Sequence, residues 1–297
     1  AEILTEAGVP AGVFNVVTGS GATLGDHLVG HPDVDKVAFT GSTDVGAHAA
    51  ALAARTLKPF TAELGGNAAN IVFADADLDQ AIGTIISAFV FNSGQFCMAG
   101  PRLLVERPIY ETVLGILGQA VPQVPFGSPN DPATVIGPLA SKSQLDKVSA
   151  IVERARAAGA QVITGGSAVD LDGGFYYAPT VLAGLPSSAE IVAEEVFGPV
   201  LTVEPFDTED EAIALANGTA YGLASGVQTS DLAKAHRVAA KLQAGITWVN
   251  GWALLDPSVP FGGVKASGWG REGGPEAMES YQRAHSIVFN LEQGAAQ

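Results

Sequence analysis

The stretch KVAFTGSTDVGAHAAALAARTLKPFTAELGG, residues 36–66, decides the fold class. It opens on a short apolar run, Lys36 to Thr40, passes through an alanine-rich segment, Val45 to Leu57, and closes on a second apolar run, Lys58 to Glu63. Short apolar runs bounded by glycine and proline read as buried strands. An alanine-rich stretch reads as helix, because alanine loses no side-chain entropy when the backbone coils. Strand, helix and strand in that order predict a parallel α/β sheet with right-handed crossovers. Upstream, Val13 to Val17 reads as one more buried strand, followed by Gly19-Ser20-Gly21 and Gly25. That glycine pattern lacks the usual dinucleotide fingerprint spacing, and a plain strand-to-helix turn accounts for it equally well.

The same rhythm continues downstream. Ala69 to Phe73 reads as a strand leading into a helix opened by Asp75 and Asp77, whose carboxylates suit the exposed amides at a helix start. Leu78, Ile82, Ile85 and Phe89 recur at helical spacing, a stripe read as core packing rather than a cofactor box. Ser141 with Gln144, and Thr208 with Glu211, are capping-box pairs, the second helix ending near Asn217-Gly218. Val200 to Val203 and Ala224 to Val227 alternate with these helices as strands. Val124 to Pro138 and Gly165 to Tyr177 read as the long irregular segments, and no internal repeat is present.

Of 297 residues, 47% are hydrophobic and 15% charged, which suits a chain with a real core and about two domains. The net charge of -16 repels phosphate backbones and anionic lipid, so neither nucleic acid nor a membrane surface is expected as partner. No apolar run reaches the roughly 18 residues that a bilayer span needs. The one cysteine allows no internal disulfide and fits a reducing, cytoplasmic setting. The acidic start, Ala-Glu-Ile-Leu-Thr-Glu, is unlike a signal peptide, and without an initiator methionine it reads as a cut end.

Two segments carry chemistry. The first runs from Phe91 to Gly100 and contains Cys97. A lone cysteine is usually a small buried hydrophobe. This one follows a polar, glycine-containing turn that closes a helix, where a thiol can face a cleft and a thiolate can attack an aldehyde carbon. The second is Thr61-Ala62-Glu63-Leu64-Gly65-Gly66. Glu63 could be a surface or capping residue. Facing the same cleft as Cys97, partial burial would raise its pKa and make it a general base.

Glu63-Leu64-Gly65-Gly66 and Gly94-Gln95-Phe96-Cys97, with 34 residues from Glu63 to Cys97, resemble the glutamate and cysteine signatures of the aldehyde dehydrogenase superfamily. The resemblance covers the whole chain. It takes in Phe39-Thr40-Gly41-Ser42-Thr43, Glu194-Glu195-Val196-Phe197-Gly198-Pro199, Trp248-Val249-Asn250 and Pro260-Phe261-Gly262-Gly263, in family order. It implies that Cys97 is the nucleophile and Glu63 the base that activates the deacylating water. It also implies that Gly41 and Ser42 open a helix toward the pyrophosphate of NAD or NADP, as an anion suits a helix N-terminus. Val45 would pack near the adenine, the Leu64 carbonyl would hold the nicotinamide amide, Glu195 the ribose hydroxyls and Phe197 the ring.

The resemblance further implies a partial Rossmann-type cofactor domain, residues 1–65, and an α/β catalytic domain, residues 66–268. A C-terminal return, residues 269–297, would carry an oligomerisation strand from His285 to Leu291 that pairs subunits in a homodimer or homotetramer. One family oxyanion donor, an asparagine, and the residues that separate NAD from NADP users belong to a segment this sequence does not contain. The 297-residue chain alone is therefore expected to show negligible turnover.

The resemblance also implies that the stretch after Asn250 lines the aldehyde tunnel; there Trp252, Leu255 and Phe261, with Phe96 and Met98 flanking Cys97, offer apolar area and no cation for a substrate carboxylate, which favours a hydrophobic aldehyde, aromatic or medium-chain. Trp252 and Leu254 could equally be ordinary core. Two other readings stand beside this one: a CoA-acylating enzyme of the same superfamily, and a catalytically silent oligomerising protein.

Overall fold

A computed structural model describes residues 1–290. After a short N-terminal helix, α1 (Glu2–Glu6), the expected strand at Val13 to Val17 does not form: the segment is turn and irregular chain. Val13, Val16 and Val17 are 70%, 60% and 76% exposed, and no described strand pairs with them. A parallel strand needs a hydrogen-bonded neighbour and cover on its faces, and here it has neither. Helix α2 (Gly21–Gly30) follows, so the glycine-rich stretch is a helix start with Ser20 at the N-cap.

The decisive stretch folds as strand, helix and strand: β1 (Val37–Thr40), α3 (Thr43–Ala54) and β2 (Phe60–Glu63). β1 and β2 pair in parallel, with Thr40 opposite Glu63. The helix stops short of Leu57, which takes a left-handed φ of 56°.

The larger sheet is built from β3 (Ala69–Val72), β4 (Arg102–Glu106), β5 (Gln161–Thr164), β8 (Thr180–Ala183), β9 (Val200–Phe206), β10 (Ala224–Gln228) and β11 (Ile246–Val249). Its order is β11-β10-β3-β4-β9-β8-β5, all parallel except β5. On one face lie α4 (Leu78–Val90) and α5 (Tyr110–Ala120), whose Ile85, Phe89, Val113 and Leu117 pack on Leu103, Val105 and Val203. The Leu78–Phe89 stripe is thus core, and Asp77 caps α4 by accepting from the amides of Asp79 and Gln80.

Helix α6 (Lys142–Ala157), capped by Ser141, packs with α7 (Glu190–Ala193) in a second cluster. Helix α8 (Glu209–Asn217), capped by Thr208, covers the opposite face, with Ala212 and Ile213 on Ile71 and Leu104, followed by α9 (Leu232–Ala239). The stretch Gly165 to Tyr177, expected to be irregular, contains a small hairpin of β6 (Ala168–Val169) and β7 (Tyr176–Tyr177). The consecutive Tyr176 and Tyr177, both buried, anchor the two-residue strands.

The chain then returns to the small sheet. β12 (Gly268–Trp269) runs antiparallel to β2, pairing Gly268 with Glu63, before α10 (Gly274–Glu279). Of the strand expected from His285 to Leu291, residues 285–290 form no described ladder, and Leu291 lies outside the described residues. An edge strand acquires its ladder only from a neighbour, and none is present among the described residues.

Candidate active site

Cys97 is presented by a reversal that the sequence writes residue by residue. Beyond α4, three successive residues take left-handed φ: Asn92 (49°), Ser93 (58°) and Gly94 (71°). Such backbone persists where neighbours over-determine it. Asn92 Nδ2 donates to the Gln95 carbonyl at 2.9 Å, and Ser93 Oγ to that of Gly137 at 2.8 Å. Gln95 Oε1 accepts from the Ala140 amide at 2.8 Å. Gly94 has no room for a side chain, since a Cβ would lie 2.1 Å from the Gly198 carbonyl oxygen.

Glu63 ends β2, between β1 and β12. The turn after it is pinned by Ser267, which sequence reasoning missed. The Leu64 amide donates to the Ser267 carbonyl at 3.0 Å, Ser267 Oγ donates to the Gly65 carbonyl at 2.6 Å, and the Gly222 amide donates to the same hydroxyl at 3.0 Å. Gly66 then passes so close to the Cys97 loop that a Cβ would lie 2.1 Å from the Cys97 carbonyl oxygen, while a Cβ on Gly65 would lie 2.6 Å from Glu195 Oε2. Gly66 also donates its amide to Glu195 Oε1 at 2.9 Å.

Together these turns enclose a cavity of about 230 Å³ lined by Gly41, Ser42, Leu64, Cys97, Glu195 and Phe197, with Thr40, Gly65, Gln144 and Lys147. It lies between the C-terminal ends of β1 and β2 and the loops that lead into β4 and β9. Six of the residues singled out in the sequence therefore meet in one place. Ser42 is the N-cap of α3 but makes no side-chain cap, so its hydroxyl leaves the first amides of the helix unclaimed. Val45, on the first turn of α3, is half exposed and lies outside the lining.

Lys147 is a newcomer, and Gln144, read from the sequence only as the capping partner of Ser141, sends its side chain to the site. Gln144 Nε2 donates to the Val196 and Phe197 carbonyls at 3.2 and 2.8 Å, holding Phe197 at its left-handed φ of 58°. Lys147 Nζ donates to the Glu195 carbonyl at 3.2 Å. Their spacing of three puts both on one face of α6, yet nothing local says which way that face looks.

The site disfavours negative charge. Burial pushes the Glu63 carboxyl up to about 7, helped by the negative charge of Glu272 and opposed by Arg271. Its Oε2 is buried without a hydrogen-bond partner. Burial also raises Glu195, against the pull of the Gly66 amide and Lys147. The Cys97 thiol is raised first by burial, then by Glu195, with a smaller push from Glu63; the amides of Met98 and of Cys97 itself pull the other way.

On the far side of the sulfur, Phe96, Met98, Trp252 and Phe261 join Cys97 in one apolar cluster with Trp248 and Leu223. Met98 is buried, whereas Leu255 is over half exposed and lies outside that cluster. Among the described residues, no group of three or more His, Cys, Asp or Glu side chains could hold a metal ion. No helix among them is long and apolar enough to cross a membrane.

The sequence profile of the aldehyde dehydrogenase family matches residues 1–287. Betaine aldehyde dehydrogenase from Cereibacter sphaeroides is 47% identical over 291 residues, covering 98% of this chain and 60% of that protein. The chain thus spans about three-fifths of the length of the curated relative it matches. A crystal structure of betaine aldehyde dehydrogenase from Staphylococcus aureus in complex with NAD+ matches with a TM-score of 0.92 at 41% identity, over 94% of this chain and 56% of that one. A mutant of aldehyde dehydrogenase from Bacillus cereus matches with the same TM-score at 43% identity, over 94% of this chain and 57% of its own. The chain belongs to the aldehyde dehydrogenase family.

Proposed function

We propose that this chain carries the catalytic cysteine, the base and much of the nicotinamide site of an enzyme that oxidises an aldehyde to a carboxylic acid. The single observation that carries this reading is the cavity that gathers Cys97, the Leu64-Gly65 turn, Glu195, Phe197 and the open N-terminus of α3. Its fit to a nicotinamide nucleotide rests on that donor set: unclaimed helix amides for a pyrophosphate, the half-buried Glu195 carboxylate for ribose hydroxyls, a phenyl ring for a flat heterocycle. The cofactor is NAD or NADP, and the NAD+ complex of the Staphylococcus relative favours NAD.

In the proposed sequence, the Cys97 thiolate adds to the aldehyde carbon, and the carbonyl π pair moves onto oxygen. The Cys97 amide donates to that alkoxide. A nicotinamide nucleotide held by Leu64, Glu195 and Phe197 would supply the hydride acceptor, and with the carbon–hydrogen pair given up the carbonyl re-forms as a Cys97 thioester. Glu63 takes a proton from water, the resulting hydroxide attacks the thioester, and the carbon–sulfur bond breaks to release the acid and the thiolate. A carboxyl titrating near 7 suits that step, because it is partly ionised at neutral pH and basic enough to accept a proton.

The substrate we favour is a hydrophobic aldehyde, aromatic or medium-chain, on the strength of Phe96 and Phe261 in the apolar cluster with Cys97. Betaine aldehyde is the second reading. The relatives carry that name, and aromatic faces attract quaternary ammonium groups. The exposed Ile287, Val288 and Phe289 support assembly into a homo-oligomer through the C-terminal stretch. The single cysteine supports a cytoplasmic setting.

The test is reduced-cofactor absorbance with NAD, phenylacetaldehyde, hexanal and betaine aldehyde. It uses the purified chain and the same chain extended by the part of the Cereibacter relative that it does not span. Turnover abolished by Cys97→Ala, with cofactor binding retained, is expected. Turnover that survives Cys97→Ala would overturn the assignment, and acid formation only on addition of CoA would favour the acylating alternative.

A further inference from the structure

Beyond β11 the chain passes two left-handed residues, Asn250 at 52° and Ala253 at 54°, and between them carries Trp252. The indole Nε1 donates to the Met98 carbonyl at 2.9 Å, one residue past Cys97. The six-membered edge of the ring lies over two glycines. A Cβ on Gly226 would come within 2.6 Å of the ring, and one on Gly100 within 3.0 Å. Gly226 stands between Asn70 and Trp248 in the ladder, where any larger residue would push the indole out. The Trp248 ring packs at 5.1 Å from the Trp252 centroid, and its own Nε1 donates to the Leu254 carbonyl at 2.9 Å. The ring therefore has one seat: two glycine notches, a neighbouring indole, and its only donor committed to one carbonyl.

That carbonyl matters because of what lies on the other side of Met98. Cys97 precedes Met98 directly, so an anchored Met98 carbonyl and a buried Met98 side chain hold the backbone that carries the sulfur. We propose that Trp252 is a positioning residue for the nucleophile loop: its indole N–H, seated by Gly100 and Gly226, holds the Met98 carbonyl and so fixes the backbone on which Cys97 is presented. This rests on Cys97 as the nucleophile, and it gives Trp252 a task distinct from lining a substrate pocket.

The experiment is the rate of iodoacetamide alkylation of Cys97 across pH, in the native chain, Trp252→Phe and Gly100→Ala, each with its melting temperature. Trp252→Phe keeps an aromatic ring and removes the donor; Gly100→Ala keeps the donor and crowds the ring, its Cβ 3.0 Å from the indole. The carboxylates that face the sulfur, Glu195 and Glu63, are the same in all three proteins. Both variants are expected to react about fivefold more slowly near neutral pH, the scale of one net hydrogen bond. Their profiles should move to higher pH, because a less supported thiolate forms later. In the extended, active form, the ratio of KM values for hexanal and phenylacetaldehyde should stay unchanged while kcat falls.

An unchanged alkylation profile with an altered KM ratio would make Trp252 a substrate wall and overturn the proposal. A lowered melting temperature with an unchanged profile would reduce it to core packing and overturn it too. Should Trp252→Phe fail to fold, Gly100→Ala alone decides. Alkylation is read without turnover, so slowed labelling in a protein that oxidises no aldehyde would sustain the positioning role while the proposed function fails.

Discussion

Glu63 ends β2 with Oε2 buried and without a hydrogen-bond partner, which leaves solvation by an incoming water as its remaining option. Its carboxyl is pushed up from 4.5 to about 7, chiefly by burial. The folded protein therefore holds this proton more tightly than the unfolded chain does. Stability falls as pH rises from about 4.5 to about 7, and above that window the cost is complete. Glu63→Gln has no proton to lose, so its melting temperature should fall less across that window than that of the native chain. In the extended active form the same substitution should slow thioester hydrolysis about a hundredfold or more while sparing a pre-steady-state burst of reduced cofactor. Intact steady-state turnover would make Glu63 structural. The raised Cys97 thiol gives a related expectation: bound cofactor should change its iodoacetamide labelling rate, because the cavity that would receive the cofactor touches the sulfur.

The elements meet at close approaches between backbones. The turn after β2 touches the loop before β4 at Gly66, and the same loop touches the lead-in to β9 at Gly94. Gly66→Ala should cost several kcal/mol or disorder the turn, since the obstructing atom is the Cys97 carbonyl, which is backbone. Urea titration of the variant measures that loss, and a change under about 0.5 kcal/mol would show that the loops part easily. Ser267→Ala removes the hydroxyl that joins the Gly65 carbonyl to the Gly222 amide. Leaving such buried groups unpaired should cost about 1–3 kcal/mol. It should also lower kcat in the extended form more than it raises the aldehyde KM, as the turn that carries Glu63 loosens. Equal effects on both constants would place Ser267 outside the catalytic geometry.

At the scale of the whole molecule, the cavity joins a small sheet, β1-β2-β12, to a large one, so a ligand held there should tie the two together. NAD at a hundredfold excess over its Kd should stabilise the chain by about 2.7 kcal/mol, read as a rise in melting temperature. Glu195→Gln should reduce that rise, and an unchanged melting temperature with NAD would remove the cofactor from this cavity. The sequence alone determined the strand–helix–strand unit at residues 36–66 and the capped helices, and it singled out Cys97 and Glu63 as candidates, because periodicity, caps and paired motifs are local signals. It misread Val13 to Val17, whose apolar run is strand-like but finds no sheet neighbour. It read Gln144 only as a capping-box residue and passed over Lys147 and Ser267, which are ordinary helix and turn residues until chain segments 48 to more than 200 positions apart are brought together. Only the tertiary structure decided that Trp252 gives its N–H to Met98, that Leu255 stands away from the sulfur and that Glu63 lacks a partner for one oxygen. The reason is physical: hydrogen-bond partners, burial and the pKa shifts that follow are set by which distant backbones approach, and a local pattern holds no information on approach.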